Sequence, residues 1–193
     1  NVFALNAQFQ YIRSYGDSSV PFFDRFFIGG ENTVRGFDIR SISPIAVTST
    51  RQFDPMGNPI IDLNTGLPKT VQSQPFAVGG DTVGILNFEY RIPVAGPLSV
   101  AAFYDLGLAR ASHKESLGDF GASRVDIIGS TNDTLRGSTG LEVQFVLPVV
   151  SAPFRLIFAY NPQRLDESIT TTNGTFRINE PKKDIKFTVG RSF

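Results

Sequence analysis

Apolar and polar residues alternate along most of this chain with a period of two, the pattern of β-strands with one apolar and one polar face. In the first such run Phe3, Leu5, Ala7, Phe9 and Tyr11 share one side, and Asn6, Gln8 and Gln10 the other. A second run sets Gly84, Leu86, Phe88, Tyr90 and Ile92 against Asn87, Glu89 and Arg91. A third spans about Leu98 to Ala109. The fourth alternates Leu141, Val143, Phe145 and Leu147 with Glu142 and Gln144. The fifth alternates Phe154, Leu156, Phe158 and Tyr160 with Arg155 and Asn161. The sixth sets Ile185, Phe187, Val189 and Phe193 against Lys186, Thr188 and Ser192.

The connections between these runs alternate in length. Arg13 to Gly80, Ala111 to Leu135 and Asn161 to Lys182 are long, whereas Pro93 to Pro97 and Pro148 to Pro153 are short. Short turns at one end and long loops at the other are the asymmetry of an outer-membrane barrel. The runs are near the ~9–11 residues that cross a bilayer at a tilt. Prolines 93, 148, 153 and 162 stand at strand ends, where they spare the ladder. The expectation is an all-β fold, an antiparallel transmembrane β-barrel. About six strands fall short of the roughly eight of the smallest common barrels, so closure calls for further strands or a second copy. A soluble sandwich or lipocalin would bury the same apolar faces. Alternation is common to both readings, and the loop asymmetry and the motifs below favour the membrane.

Composition narrows the function classes. With 18 basic and 18 acidic residues the formal net charge is zero, which argues against a nucleic-acid partner. There is no Cys, so disulfides, thiol catalysis and thiolate metal sites drop out. Phe is abundant at 18 and Trp absent, and no apolar run approaches the ~20 residues of a membrane helix. The opening Asn1-Val2-Phe3-Ala4 starts in mid-strand with no leader pattern, and a piece of a longer precursor is expected. His113, the one His, stands in a polar stretch and reads as a solvated loop residue. Without a second His or any Cys, neither a zinc site nor a catalytic triad is expected. The segment Asp54 to Asp62 fits no EF-hand spacing and reads as a small loop hairpin. Asn132-Asp133-Thr134 and Asn173-Gly174-Thr175 match the glycosylation sequon by chance. Gly79-Gly80-Asp81 lacks the Lys of a phosphate loop. No catalytic residue, cofactor or metal is expected.

Inside the longest connection stands Phe26-Phe27-Ile28-Gly29-Gly30-Glu31-Asn32-Thr33-Val34-Arg35-Gly36-Phe37. Taken alone it is a tightly turning backbone with one Arg, and a loop Arg is ordinarily a solvated charge. Together with its surroundings it resembles the signature of the BamA family of outer-membrane assembly factors. That superfamily also contains two-partner secretion transporters, TamA and organellar import relatives. Leu86-Asn87-Phe88-Glu89-Tyr90 is similar to the family's Glu-bearing strand, and Phe103-Tyr104-Asp105-Leu106-Gly107 to the strand after it. The final Phe187-Thr188-Val189-Gly190-Arg191-Ser192-Phe193 is similar to the terminal strand with its aromatic last residue. Four elements in order make the resemblance specific, and it covers nearly the whole chain.

The resemblance implies that residues 1–193 are the C-terminal part of the barrel. The connection 16–80 is then an extracellular loop folding back into the lumen, with the N-terminal strands and periplasmic domains lying outside this chain. It implies that Gly29, Gly30, Val34, Arg35, Gly36 and Phe37 anchor the loop, with Glu89, Phe103 and Asp105 as their partners on the inner wall. Guanidinium suits such a role, because it is permanently charged and binds a carboxylate through two parallel hydrogen bonds. A loop in a wide lumen is expected to find few apolar contacts, which leaves the anchoring to Arg35. Phe187, Val189, Gly190 and Phe193 form the terminal-strand signal. The implied function is non-enzymatic: insertion of β-barrel proteins into the bacterial outer membrane through a lateral seam involving the terminal strand. The implied partners are unfolded outer-membrane β-barrel substrates, outer-membrane lipids and accessory lipoproteins, with no nucleic acid. The alternatives are a two-partner or TamA-like translocation pore of the same superfamily, a passive porin, and a soluble ligand-binding barrel.

Overall fold

The computed structural model describes the chain except residues 16–19, 113–115, 121–122, 147–152 and 190–193, and the backbone alone of residues 116–120. Thirteen strands are described: β1 Val2–Tyr11, β2 Ile45–Arg51, β3 Thr70–Gln72, β4 Phe76–Ala77, β5 Thr82–Ala95, β6 Leu98–Arg110, β7 Ser116–Phe120, β8 Ser123–Ile127, β9 Arg136–Val146, β10 Pro153–Gln163, β11 Asp166–Thr171, β12 Gly174–Asn179 and β13 Lys183–Val189. A single helical turn, α1, covers Gly129–Asn132. Among the described residues no helix is long and apolar enough to cross a membrane.

The six runs of alternating sequence make one antiparallel sheet in the order β1-β5-β6-β9-β10-β13. β5 and β6 meet at Ala95 and Leu98, and β9 and β10 at Val146 and Pro153, the ends where short turns are expected. The β5–β6 turn closes at Gly96, whose φ of 51° belongs to the left-handed region. Register follows the alternation. Asn87 faces Asp105 and Asp105 faces Ser138, so the polar sets of adjacent strands come to one side. β1 and β13 are the two edges, and among the described residues they do not pair with each other. The sheet is a partial barrel.

The two faces settle which way the sheet is turned. One carries Phe3, Leu5, Phe9, Leu141, Phe158, Ile185 and Phe187, all exposed, with Phe9 at 73% and Ile185 at 68%. The other is covered by the long connection and holds Asp105, Glu142 and Gln144, all buried. A soluble barrel puts its apolar face inside and its charges outside. Here the order is inverted, as in a membrane barrel.

The long connections are more structured than their loop-like sequence suggests. The connection 16–80, expected as a loop, contains β2, β3 and β4. β2 pairs with β3, β4 and β8, and β8 with β7, so two different connections contribute to one small sheet. β11 and β12 form a hairpin between β10 and β13. Its tip meets the small sheet: Gln72 N–H donates to Thr172 Oγ1 at 2.8 Å, and Asn173 Nδ2 donates to the Gln72 carbonyl. The tip at Asp54 is a turn, as expected. Its carboxylate accepts from the backbone N–H of Met56 at 2.9 Å and of Asn58 at 2.8 Å, so it serves its own backbone.

The expectation of few apolar contacts beneath the inserted loop is corrected. Ile28, Val34, Phe37 and Ile42 of the connection pack with Val83, Ile85 and Ala109 of the sheet, each 5% exposed or less. Val83 and Ile85 occupy the covered face of β5 at its loop end, so that face changes from apolar to polar along the strand. Full burial of a side chain such as Val34 or Phe37 contributes about 1.5–3 kcal/mol. The loop is thus held by a small hydrophobic core as well as by charge.

Candidate functional site

A tight turn delivers the central Arg to the sheet. Gly29 has φ 113°, and a Cβ there would stand 2.5 Å from the Asp38 carbonyl oxygen, so only glycine suits the position. The Gly29 N–H donates to Thr33 Oγ1 at 2.8 Å, and the Thr33 N–H to the Gly30 carbonyl at 3.1 Å. Val34 and Arg35 emerge from this turn onto the sheet. Gly36 follows at φ 84°, where a Cβ would stand 2.6 Å from that of Ala159.

Arg35 is 5% exposed and lies over the Phe103 ring, 4.0 Å from Cζ to the centroid. Phe103 sits on β6 opposite Gly140 of β9, and the missing side chain of Gly140 leaves the ring its space. Carboxylates from three adjacent strands surround this floor. Asp105 takes Nε at 2.7 Å and Nη2 at 2.8 Å, the two parallel bonds that a guanidinium fork allows. Nη1 donates to Glu89 on β5 at 2.9 Å and to Glu142 on β9 at 3.0 Å. The Arg35 backbone N–H also donates to Asp105, at 3.0 Å. Burial opposes the charge, but the hydrogen bonds and charges of Asp105, Glu89 and Glu142 outweigh it and raise the guanidinium above its ordinary pKa.

Two further arginines balance the excess of carboxylates. Arg155 of β10 grips Glu142 through Nε at 2.6 Å and Nη2 at 2.8 Å. Arg91 of β5 binds Glu89 through Nε at 3.0 Å and Nη2 at 2.6 Å. Three guanidiniums therefore meet three carboxylates, so the formal charges balance, with Arg91 at the exposed margin of the cluster. Beside it lies a polar cavity of about 660 Å³ lined by Asn6, Gln8, Glu31, Asn87 and Gln144, among others.

The structure thus brings together Arg35, Glu89, Phe103 and Asp105, which the sequence singled out. Gly29, Gly30, Val34, Gly36 and Phe37 form the turn and the packed core around Arg35. Phe187 and Val189 lie apart from it, on the bare face of β13. Gly190 and Phe193 lie outside the described residues, as does His113. Sequence reasoning left Glu142 and Arg155 without a part. The signal was there, since each is a charged residue on the polar side of its strand. It also missed Asn161, which donates to the Gly36 carbonyl at 2.6 Å, and Gly107, whose missing side chain admits Val34. The sequon at Asn132 has a structural use: its buried amide donates to the Ala111 carbonyl and accepts from the Ala111 N–H.

The model of the Omp85 superfamily domain matches residues 1–193. The chain belongs to the Omp85 superfamily. It is 28% identical over 152 residues to the outer membrane protein assembly factor BamA of Nitratidesulfovibrio vulgaris, a match covering 77% of this chain. That similarity makes it a BamA-type Omp85 member, and it spans 14% of the length of that relative.

Proposed function

We propose that this chain is the C-terminal part of an outer-membrane barrel that assembles and inserts other β-barrel proteins, without catalysing a chemical reaction. The observation that carries the reading is Arg35 seated on Asp105, Glu89 and Glu142 inside a BamA-like sheet. A steady pore has no need of a loop locked into its lumen by three ion pairs and a hydrophobic core. An assembly factor that must keep its lumen blocked while its wall works does. Further strands complete the barrel. Unfolded outer-membrane proteins pair with an exposed edge, which is β-augmentation within a bilayer. β13 supplies one side of the seam where this takes place. Substrate chains, outer-membrane lipids and accessory lipoproteins are the partners of this reading, and the bacterial outer membrane its place.

The test is reconstitution. Liposomes carrying the intact protein are expected to fold a urea-denatured outer-membrane barrel faster than empty liposomes, with most of that gain lost in Arg35→Ala. Equal rates with and without the protein would overturn the proposal. Export of a soluble passenger without barrel insertion would favour the two-partner transporters instead.

A further inference from the structure

Successive residues of the inserted loop reach successive strands of the sheet. The Thr33 carbonyl accepts from Asn87 of β5 at 2.7 Å. Arg35 binds Glu89 of β5, Asp105 of β6 and Glu142 of β9. The Gly36 carbonyl accepts from Asn161 of β10 at 2.6 Å. The Phe37 carbonyl accepts from Lys186 Nζ of β13 at 2.6 Å. Five residues of loop thus span five neighbouring strands and end on the edge strand.

The last of these contacts differs from the rest. β5, β6, β9 and β10 each lie between two strands, whereas among the described residues β13 has one ladder, seven residue pairs with β10 from Phe154–Val189 to Tyr160–Lys183. Its side chains alternate cleanly. Ile185, Phe187 and Val189 are on the bare face, and Asp184, Lys186 and Thr188 on the covered one. Lys186 carries three N–H donors. It donates to the Phe37 carbonyl and, at 3.4 Å, to Asp38, and it is ion-paired with Asp184 at 3.1 Å. The Phe37 carbonyl is a firm acceptor because its own ring is fully buried in the core beneath the loop. The Asn161 amide bridges the same region, donating also to the Pro181 carbonyl at 2.8 Å just ahead of β13.

We infer that Lys186 is a clasp through which the seated loop holds the terminal strand in place. β13 is bound along its length by β10 and at one point by the loop. Drawing the strand away from β10 must break the contact with Phe37, and unseating the loop must release the strand. Arg35 and Lys186 therefore act on one coupled device, with Arg35 setting the position of the loop and Lys186 passing it to the edge. Under the assembly reading, on which this inference builds, the clasp determines how readily the edge is offered to an incoming chain. Lys186 is a positioning residue and need not touch substrate.

Amide hydrogen exchange on the intact protein in lipid nanodiscs tests the clasp without reference to assembly. In Lys186→Met the amides of residues 183–189 are expected to exchange about tenfold faster, the loss of roughly one charge-assisted hydrogen bond. Those of β5 and β6 should hold their wild-type rates. Lys186→Arg, which keeps the charge and the donors, should stay slow. Arg35→Ala should also speed β13, and the double variant should be no faster than the faster single variant, because both changes release one contact. In Lys186→Met, unchanged exchange in β13 or acceleration spread over all six strands would overturn the inference, as would an Arg variant as fast as the Met variant or additive effects of the two substitutions on β13. Failure of the assembly reading has a different signature: the exchange pattern holds while the reconstituted protein folds no substrate.

Discussion

Arg35 donates to three carboxylates at once, so its removal leaves Asp105 and Glu142 buried with fewer partners. Breaking a buried ion pair from one side costs about 3–5 kcal/mol. Arg35→Ala is expected to destabilise the protein in lipid by that order, read as a lower midpoint of chemical unfolding. Arg110→Ala provides the contrast. Its partner Asp133 is 3.0 Å away, but both side chains are more than two-fifths exposed, and such pairs contribute about 0–1 kcal/mol. Equal losses at the two positions would mean that the cluster holds nothing. A second residue-scale test lies at Gly107. A Cβ there would stand 2.5 Å from Val34 Cγ2 and 2.9 Å from Ile28 Cδ1. Gly107→Ala should cost about 1–3 kcal/mol through overpacking and loosen the loop without altering a charge. Pairing it with Val34→Ala, which vacates the crowded space, should recover part of the loss.

At the level of elements the two faces of the sheet differ: one is apolar and bare, and the other, covered by the loop, holds the buried charges beside a small apolar core. An introduced charge should therefore cost different amounts on the two faces. Phe158 stands on the bare face of β10, mid-strand, and an Arg there would lie in hydrocarbon. Phe158→Arg is expected to cost about 2–4 kcal/mol if the position is near the bilayer midplane. Thr188→Arg, on the covered face of β13, should cost far less, since its charge reaches the wet interior. Unfolding titrations in lipid vesicles compare the two directly. The inserted loop obeys a second rule. Its core of Ile28, Val34, Phe37 and Ile42 is interrupted by glycines, so no strand or helix period reveals it. Phe37→Ala should destabilise loop seating by about 3–5 kcal/mol, the range for deleting a buried aromatic side chain. Protease susceptibility of the connection 16–80 would report it.

For the whole molecule, the question is whether the lumen is open. The loop and its ion pairs lie across the covered face, and the outer connections join into a small sheet that the β11–β12 hairpin touches through Gln72. In planar bilayers the intact protein is expected to show low steady conductance, with larger and more frequent openings in Arg35→Ala. A large constant conductance in the unaltered protein would point to a passive porin.

The six strands of the main sheet, and which side chains share a face, were legible in the chain because a strand's side chains alternate with a period of two. That rule needs no knowledge of neighbours. Arg35, Glu89, Phe103 and Asp105 stood out through the resemblance of their motifs to a known family, and the structure places them in contact. Glu142 and Arg155 did not stand out, although each sits on the polar side of its strand, because their part depends on the register that brings β9 and β10 beside β6. Lys186 read as an ordinary inward Lys. Its acceptor is a backbone carbonyl 149 residues earlier in the chain, and a carbonyl leaves no mark in a sequence. The apolar core beneath the loop was hidden for a related reason: Val83 and Ile85 precede the polar part of the same face of β5, and only the path of the loop decides which part it covers. The sequence by itself determined the six strands of the main sheet and which side chains share a face, since alternation is local. The tertiary structure alone decided which face meets the loop, which charges meet one another and what holds the edge strand, because those contacts join residues that no local pattern relates.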